Sequence, residues 1–156
     1  EGAINRSIEA IKEHPEAGVV FSKQQLINNV GYIMSTLENN RPLTYTDVVH
    51  SIQTIHHLAL IKTSALPLED IDKMQKSGAR VGIEWMMKSG AALAKGAVHI
   101  PEYLYSWRVH QNSMHRHYGP EILQVEATIK EGLKNIFHNA EHEYFLSSAI
   151  PIHVKS

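Results

Sequence analysis

Three residues that can bind phosphate or move a proton lie within residues 82–113 of this chain. Glu84 opens an apolar helical pattern, and Arg108 and His110 follow a short apolar segment further along. Because Arg108 and His110 are two residues apart, their side chains leave the same face of an extended segment. Together they can bind a diphosphate, the guanidinium through its oxygens and the imidazole through phosphate or a metal. The alternative is that Arg108 pairs with Glu102 while His110 is solvated.

Glu84 and the aromatic residues before Arg108 each allow two interpretations. A carboxylate within hydrogen-bond reach of a hydroxyl can act as a general base. A carboxylate in the first turn of a helix also complements the helix dipole, without any catalytic role. Trp107 and Tyr105 can stack on a sugar or a base, or they can contribute to the core beside a strand.

Two further patterns bear on metal binding. His110, His115 and His117 provide three imidazoles, and zinc commonly takes three protein ligands with water in the fourth position. No helical H-x-x-x-H pattern and no cysteine accompany them. Asp70 and Asp72 form a literal D-x-D, but they follow a proline instead of a hydrophobic strand, and acids favour the first turn of a helix. We therefore predict a helix start at this position.

Apolar periodicity predicts helices and strands that alternate along the chain. The predicted regular segments are a helix around Ile8 that Pro15 stops, strands near Val19, Leu60 and His99, and a helix from Glu121 to His138. Between the Glu84 helix and the His99 strand, Gly90 to Gly96 predicts a turn, and a loop then leads to Arg108 and His110. Residues 39–45 and 115–120 are polar and predict loops, whereas residues 47–55 are ambiguous between helix and strand. Residues 144–152 form a second apolar segment, followed by a frayed tail.

Composition excludes several classes of function. The chain has 156 residues, 43% of them hydrophobic, with a formal net charge of −1, eleven histidines and no cysteine. Its length and lack of a long apolar run predict one soluble domain without a spanning helix or secretion signal. The near-zero charge disfavours bulk affinity for nucleic acid or anionic lipid. The absence of cysteine fits a reducing compartment, and we expect a cytoplasmic location.

The order of parts in residues 82–113 resembles the acceptor side of the family 2 glycosyltransferases. In that family an acidic residue opens a helix, and the chain returns through a pattern like h-x-I-P-E-x-L-Y-x-W-R-x-H-x-x-S. The matching residues here are Ile100, Pro101, Glu102, Leu104, Tyr105, Trp107, Arg108, His110 and Ser113. Upstream, the run E-x-H-P-E-A-G-V-V-F-S is similar to the segment that follows the family's aspartate-rich metal motif, and Ser64-Ala65-Leu66 matches its S-A-L.

The resemblance covers residues 1–117 and implies the C-terminal portion of a three-layer α/β/α, GT-A-like domain, with residues 118–156 as a helical extension. It implies transfer of a sugar, with inversion, from a nucleotide-sugar donor to a saccharide or other hydroxyl acceptor. Glu84 would be the base, while Trp107, Arg108 and His110 would bind substrate and diphosphate. His110 would also bind a divalent cation, manganese or magnesium. The nucleotide-binding half would lie upstream of this chain.

Two other functions remain open from the sequence. The first is a module of the same fold that binds a saccharide or a partner chain without turnover, because the nucleotide-binding half is missing. The second is a divalent-metal site built from the three histidines named above.

Overall fold

Two parallel strands, distant in sequence, form the centre of this protein. The computed structural model describes residues 2–37, 43–51, 54–55, 57–110, 114–139 and 152–154, with the backbone alone for 114–119 and 152–154. The helices are α1 (Gly2–Glu13), α2 (Tyr45–His50), α3 (Leu68–Lys76), α4 (Ile83–Lys95) and α5 (Met114–Asn139). The strands are β1 (Val19–Ile27), β2 (Ile33–Leu37), β3 (Ala59–Ile61), β4 (Ala97–Arg108) and β5 (Ile152–Val154), with a 3-10 turn at Thr63–Ala65.

The strands form one mixed sheet in the order β2-β1-β4-β5. β1 and β4 run parallel, from the pair Val19 and Ala97 to the pair Ile27 and Arg108. On the opposite edge of β1, β3 pairs with its start and β2 with its end, both antiparallel. The prediction of an α/β fold, with strands near Val19, Leu60 and His99, is therefore confirmed.

Alternation along the strands divides the core between the two faces of the sheet, because successive side chains point to opposite faces. Val20, Val98 and Ile100 pack with Ala10 of α1 on one face. The other face packs against α4 and α5, through a larger cluster that includes Val19, Phe21, Ala97, Trp85, Leu93, Ile129 and Leu133. The sheet thus has α1 on one side and α4 and α5 on the other.

The predicted turn at Gly90 to Gly96 is wrong, because α4 continues to Lys95. Gly90 lies within the helix where Pro67 approaches closely, and a Cβ on Gly90 would lie 2.7 Å from Pro67 Cγ. The missing side chain of Gly90 allows close packing against Pro67, and no turn forms there. The helix ends at Gly96, whose φ of 84° suits glycine and reverses the chain into β4.

Two segments that were predicted as loops are a strand and part of a helix in the structure. β4 extends to Arg108, so a strand replaces the loop predicted after His99, because β1 offers a partner along that whole length. The polar segment 115–120 lies inside α5, which accommodates Pro120. A proline inside a helix removes one backbone hydrogen bond and crowds the preceding turn, at a cost of about 3 kcal/mol, so the packing of the rest of α5 has to offset it. The boundary predicted between residues 117 and 118 falls within this helix.

The frayed tail predicted after Ile152 is wrong for His153 and Val154, which lie in a strand. β5 pairs in parallel with Ala97–His99 of β4. Most of the predicted apolar segment, residues 144–151, lies outside the described residues, as do residues 39–42 of the predicted loop. Within the described part of the chain, no helix is long and apolar enough to cross a membrane.

The structure settles two local predictions near helix starts. Asp70 and Asp72 lie in α3, so the D-x-D does begin a helix as predicted. The ambiguous segment 47–55 contains most of α2, which begins with a capping box: Thr44 Oγ1 accepts from the backbone N–H of Asp47, and the Asp47 carboxylate accepts from the backbone N–H of Thr44.

Candidate functional site

The start of α4 is fixed by close packing against α5. Gly82, immediately before the helix, has a φ of 82° and adopts the left-handed conformation. A Cβ on Gly82 would lie 2.5 Å from Cδ1 of Ile129, so a larger residue at this point would require the Ile129 side chain to shift. This contact holds the first turn of α4, and Glu84 lies in that turn as the sequence predicts.

One oxygen of the Glu84 carboxylate accepts two hydrogen bonds. Oε1 lies 2.6 Å from Nε2 of His57 and 2.8 Å from Nζ of Lys88. Lys88 is one helical turn further along α4, and its side chain is only 7% exposed, whereas that of Glu84 is 56% exposed. Oε2 has no partner among the described residues. The carboxylate is therefore anchored through one oxygen and open to solvent at the other.

These contacts keep Glu84 ionised. The hydrogen bond from His57 is the largest cause that lowers the pKa of Glu84, to about 2; partial burial opposes it, and the hydrogen bond and charge of Lys88 add to it. Glu84 therefore accepts hydrogen bonds at neutral pH. It also supplies the negative charge that the buried Lys88 ammonium requires, because an unpaired buried charge is costly.

Tyr105, a residue of β4, packs against the His57 ring. Its ring lies 5.4 Å from the His57 ring, centroid to centroid, with the two planes tilted by 45°. Glu84, His57, Lys88 and Tyr105 are called the Glu84 cluster below. Residues 105–108 pair regularly with β1, so Trp107 leaves β4 on the same face as Tyr105 and is half-buried there.

Arg108 and His110 lie away from this cluster. Alternation along β4 turns Arg108 to the opposite face from Trp107, where its Nη1 donates to the carbonyl oxygens of Asn28 and Asn29 at 2.9 and 2.6 Å. The alternative pairing of Arg108 with Glu102 is wrong, because Glu102 accepts instead from Nε of Arg6 at 3.1 Å.

His110 follows the end of β4 and is exposed. It makes no hydrogen bond or ion pair with the part of the chain that the structure describes. No described contact joins His110 or Arg108 to the Glu84 cluster.

The described residues do not complete a metal site. Among them, no group of three histidine, cysteine or carboxylate side chains is placed to hold a metal ion. The side chains of His115 and His117 lie outside the described residues, so the three-histidine site stays a prediction. Asp72 of the D-x-D pairs with Lys76 at 2.6 Å, as expected for an exposed helix face.

Sequence reasoning missed His57 and Lys88. Lys88 carried a local signal, since a lysine four residues after a glutamate in an otherwise apolar helix predicts an ion pair. His57 carried none, because its contact with Glu84 joins segments 27 positions apart.

The chain matches no protein-family model, and no curated protein matches it. The resemblance to glycosyltransferases therefore depends on the motif residues quoted above. The function has to be argued from the geometry of the Glu84 cluster.

Proposed function

We propose that this chain forms the acceptor side of an inverting glycosyltransferase with a GT-A-like fold. The observation that supports it best is the geometry of Glu84: a half-exposed carboxylate with one oxygen anchored by His57 and Lys88, in the first turn of the helix that leads into β4. Such a carboxylate can accept a hydrogen bond from a hydroxyl through Oε2 and receive its proton.

In the proposed reaction the acceptor hydroxyl oxygen forms a bond to the anomeric carbon of the donor sugar. The bond from that carbon to the diphosphate breaks, and its electron pair leaves with the nucleoside diphosphate. The hydroxyl proton passes to Oε2 of Glu84. Tyr105 and Trp107, on one face of β4, provide aromatic surface for the acceptor or the transferred sugar.

The donor side of the proposal involves residues outside the Glu84 cluster. Arg108 retains Nε and Nη2 for a phosphate oxygen, and exposed His110 is available to phosphate or to a divalent cation, manganese or magnesium. A hard cation requires several oxygen ligands, which the described residues do not assemble. The proposal therefore places the other ligands on the donor and on an upstream nucleotide-binding half, and it keeps a cytoplasmic location.

The test is sugar transfer by a protein that contains this chain together with the upstream half of the reading frame. Glu84→Gln should lower kcat more than tenfold, a loss of at least about 1.4 kcal/mol of transition-state stabilisation, while nucleotide affinity changes little. Asp72→Asn, at an exposed carboxylate on α3, is the matched control and should remain active. Equal activity of the Glu84 and Asp72 variants would refute the assignment of Glu84 as the base.

The donor side is tested separately by nucleotide binding. His110→Ala should weaken binding of the sugar nucleotide and slow transfer more than tenfold, whereas His115→Ala and His117→Ala should have much smaller effects. Equal losses at all three histidines would favour the three-imidazole metal site. If the longer protein binds no nucleotide at any metal concentration, a non-catalytic module is the better conclusion.

One observation favours a non-catalytic, saccharide-binding module. Glu84 neutralises Lys88, whose side chain is almost fully buried, and this contact alone gives the carboxylate a structural role. A saccharide-binding module would use Tyr105 and Trp107 and would need no base. Binding of an oligosaccharide that is unchanged in Glu84→Gln and lost in Trp107→Ala, without release of nucleoside diphosphate, would establish it.

A further inference from the structure

His57 reaches Glu84 from outside α4. It precedes β3, and its Nε2 lies 2.6 Å from the same Oε1 that Lys88 binds. We propose that His57 is a positioning residue, which orients the Glu84 carboxylate so that Oε2 faces the acceptor hydroxyl. This inference rests on the proposed function and adds His57, to which no sequence pattern assigned a role.

Two donors are needed because one does not fix a carboxylate. The last torsion of a glutamate side chain is broad, so a carboxylate held by Lys88 alone can turn about its own axis. Lys88 is buried on the same helix as Glu84, four residues away, and binds from the helix side. His57 approaches from a different segment, and the two directions together define the plane of the carboxylate.

The imidazole is itself held in place. The Tyr105 ring packs against His57 at 5.4 Å, and Tyr105 is anchored in the central strand β4. The chain of contacts therefore runs from the sheet through Tyr105 and His57 to Glu84. Because His57 is half exposed, it can be replaced with limited disturbance of the core.

The first experiment measures the contact without any activity assay. The carboxyl of Glu84 is titrated by NMR in the 156-residue chain, in the wild type, His57→Phe, His57→Gln and the matched control His50→Gln, which replaces an exposed histidine on α2. The pKa of Glu84 is lowered to about 2 in the wild type. We expect the titration midpoint of Glu84 to rise in His57→Phe, and to rise less in His57→Gln because the glutamine amide still donates. His50→Gln should leave it unchanged. An unchanged midpoint in His57→Phe overturns the inference.

The second experiment measures transfer by the complete protein. His57→Phe should lower kcat at least tenfold without changing KM for the donor, because the donor does not contact Glu84. His57→Gln should retain activity within threefold, because its amide can still donate to the Glu84 carboxylate. If the wild type transfers sugar and His57→Phe transfers it equally fast, the positioning role of His57 is overturned while the proposed function stands. A wild type that transfers no sugar overturns the proposed function, and with it the catalytic part of this inference.

Discussion

Buried His99 should make the stability of this protein depend on pH. The residue is 3% exposed, packs 4.9 Å from the Phe21 ring, and its Nε2 is buried without a hydrogen-bond partner among the described residues. Burial is the first cause that lowers the pKa of His99 below its ordinary value of 6.5, and the charge of Lys23 is the second. The folded protein therefore favours the neutral imidazole.

The sign and size of the effect follow from proton linkage. Below pH 6.5 the unfolded chain takes up a proton at His99 that the folded chain resists, so the free energy of unfolding falls as pH falls. The loss continues down to the folded pKa, with a limiting slope of about 1.4 kcal/mol per pH unit. By pH 5.5 this one group accounts for at most about 1.4 kcal/mol. Above about pH 7.5, where the unfolded imidazole is neutral as well, it contributes almost no pH dependence.

The assay is urea unfolding followed by the fluorescence of tryptophan, since Trp85 is buried in the core. His99→Leu keeps an apolar side chain at the site and should flatten the dependence of unfolding free energy between pH 5.5 and 7.5. His50→Gln is the control, because that imidazole is exposed on α2 and its loss should change the slope little. Equal slopes in the wild type and His99→Leu would refute the argument.

Two further predictions concern local packing and capping, both measured by urea unfolding. Gly82→Ala should cost about 2–4 kcal/mol, because it adds a clash with Ile129 to the strain of a positive φ; Gly78→Ala, with a similar φ and nothing within 4 Å, should cost only about 1–2 kcal/mol. Equal losses of unfolding free energy in the two variants would show that Ile129 of α5 does not restrict the residue at position 82. Thr44→Ala should cost about 1 kcal/mol by removing the cap of α2, while Thr46→Ala, at an exposed position in that helix, should cost less.

The strands near Val19, Leu60 and His99 and the start of α4 could be predicted because each depends on residues that are neighbours in the chain. The apolar run at Val19 and the acid at Glu84 each specify a nearby backbone conformation. In α1 the isoleucine spacing predicted the helix but not its buried side: Ser7 is buried, whereas Ile4 is 56% exposed. Which side of a helix is buried depends on the neighbouring strands, and the spacing of one helix does not contain that information.

The errors arose where a distant residue decided the local structure. Gly90 predicts a turn by propensity, but Pro67 packs against it within a helix. The loop predicted before Arg108 became a strand because β1 pairs with it. The same reason explains why His57 was missed. A contact between segments that are far apart in sequence leaves no periodic trace in either of them.

The parallel pairing of β1 with β4 also determines when the Glu84 cluster can form. Val19 and Ala97 are roughly 80 residues apart, and closing such a long loop slows folding relative to local pairing. The β1 and β2 hairpin can form from neighbouring residues, but Tyr105 reaches His57 only after β4 has joined the sheet. We therefore expect Tyr105 to complete the cluster after the β1 and β2 hairpin has formed, and we expect a substitution that slows the joining of β4 to delay this step without touching any residue of the cluster.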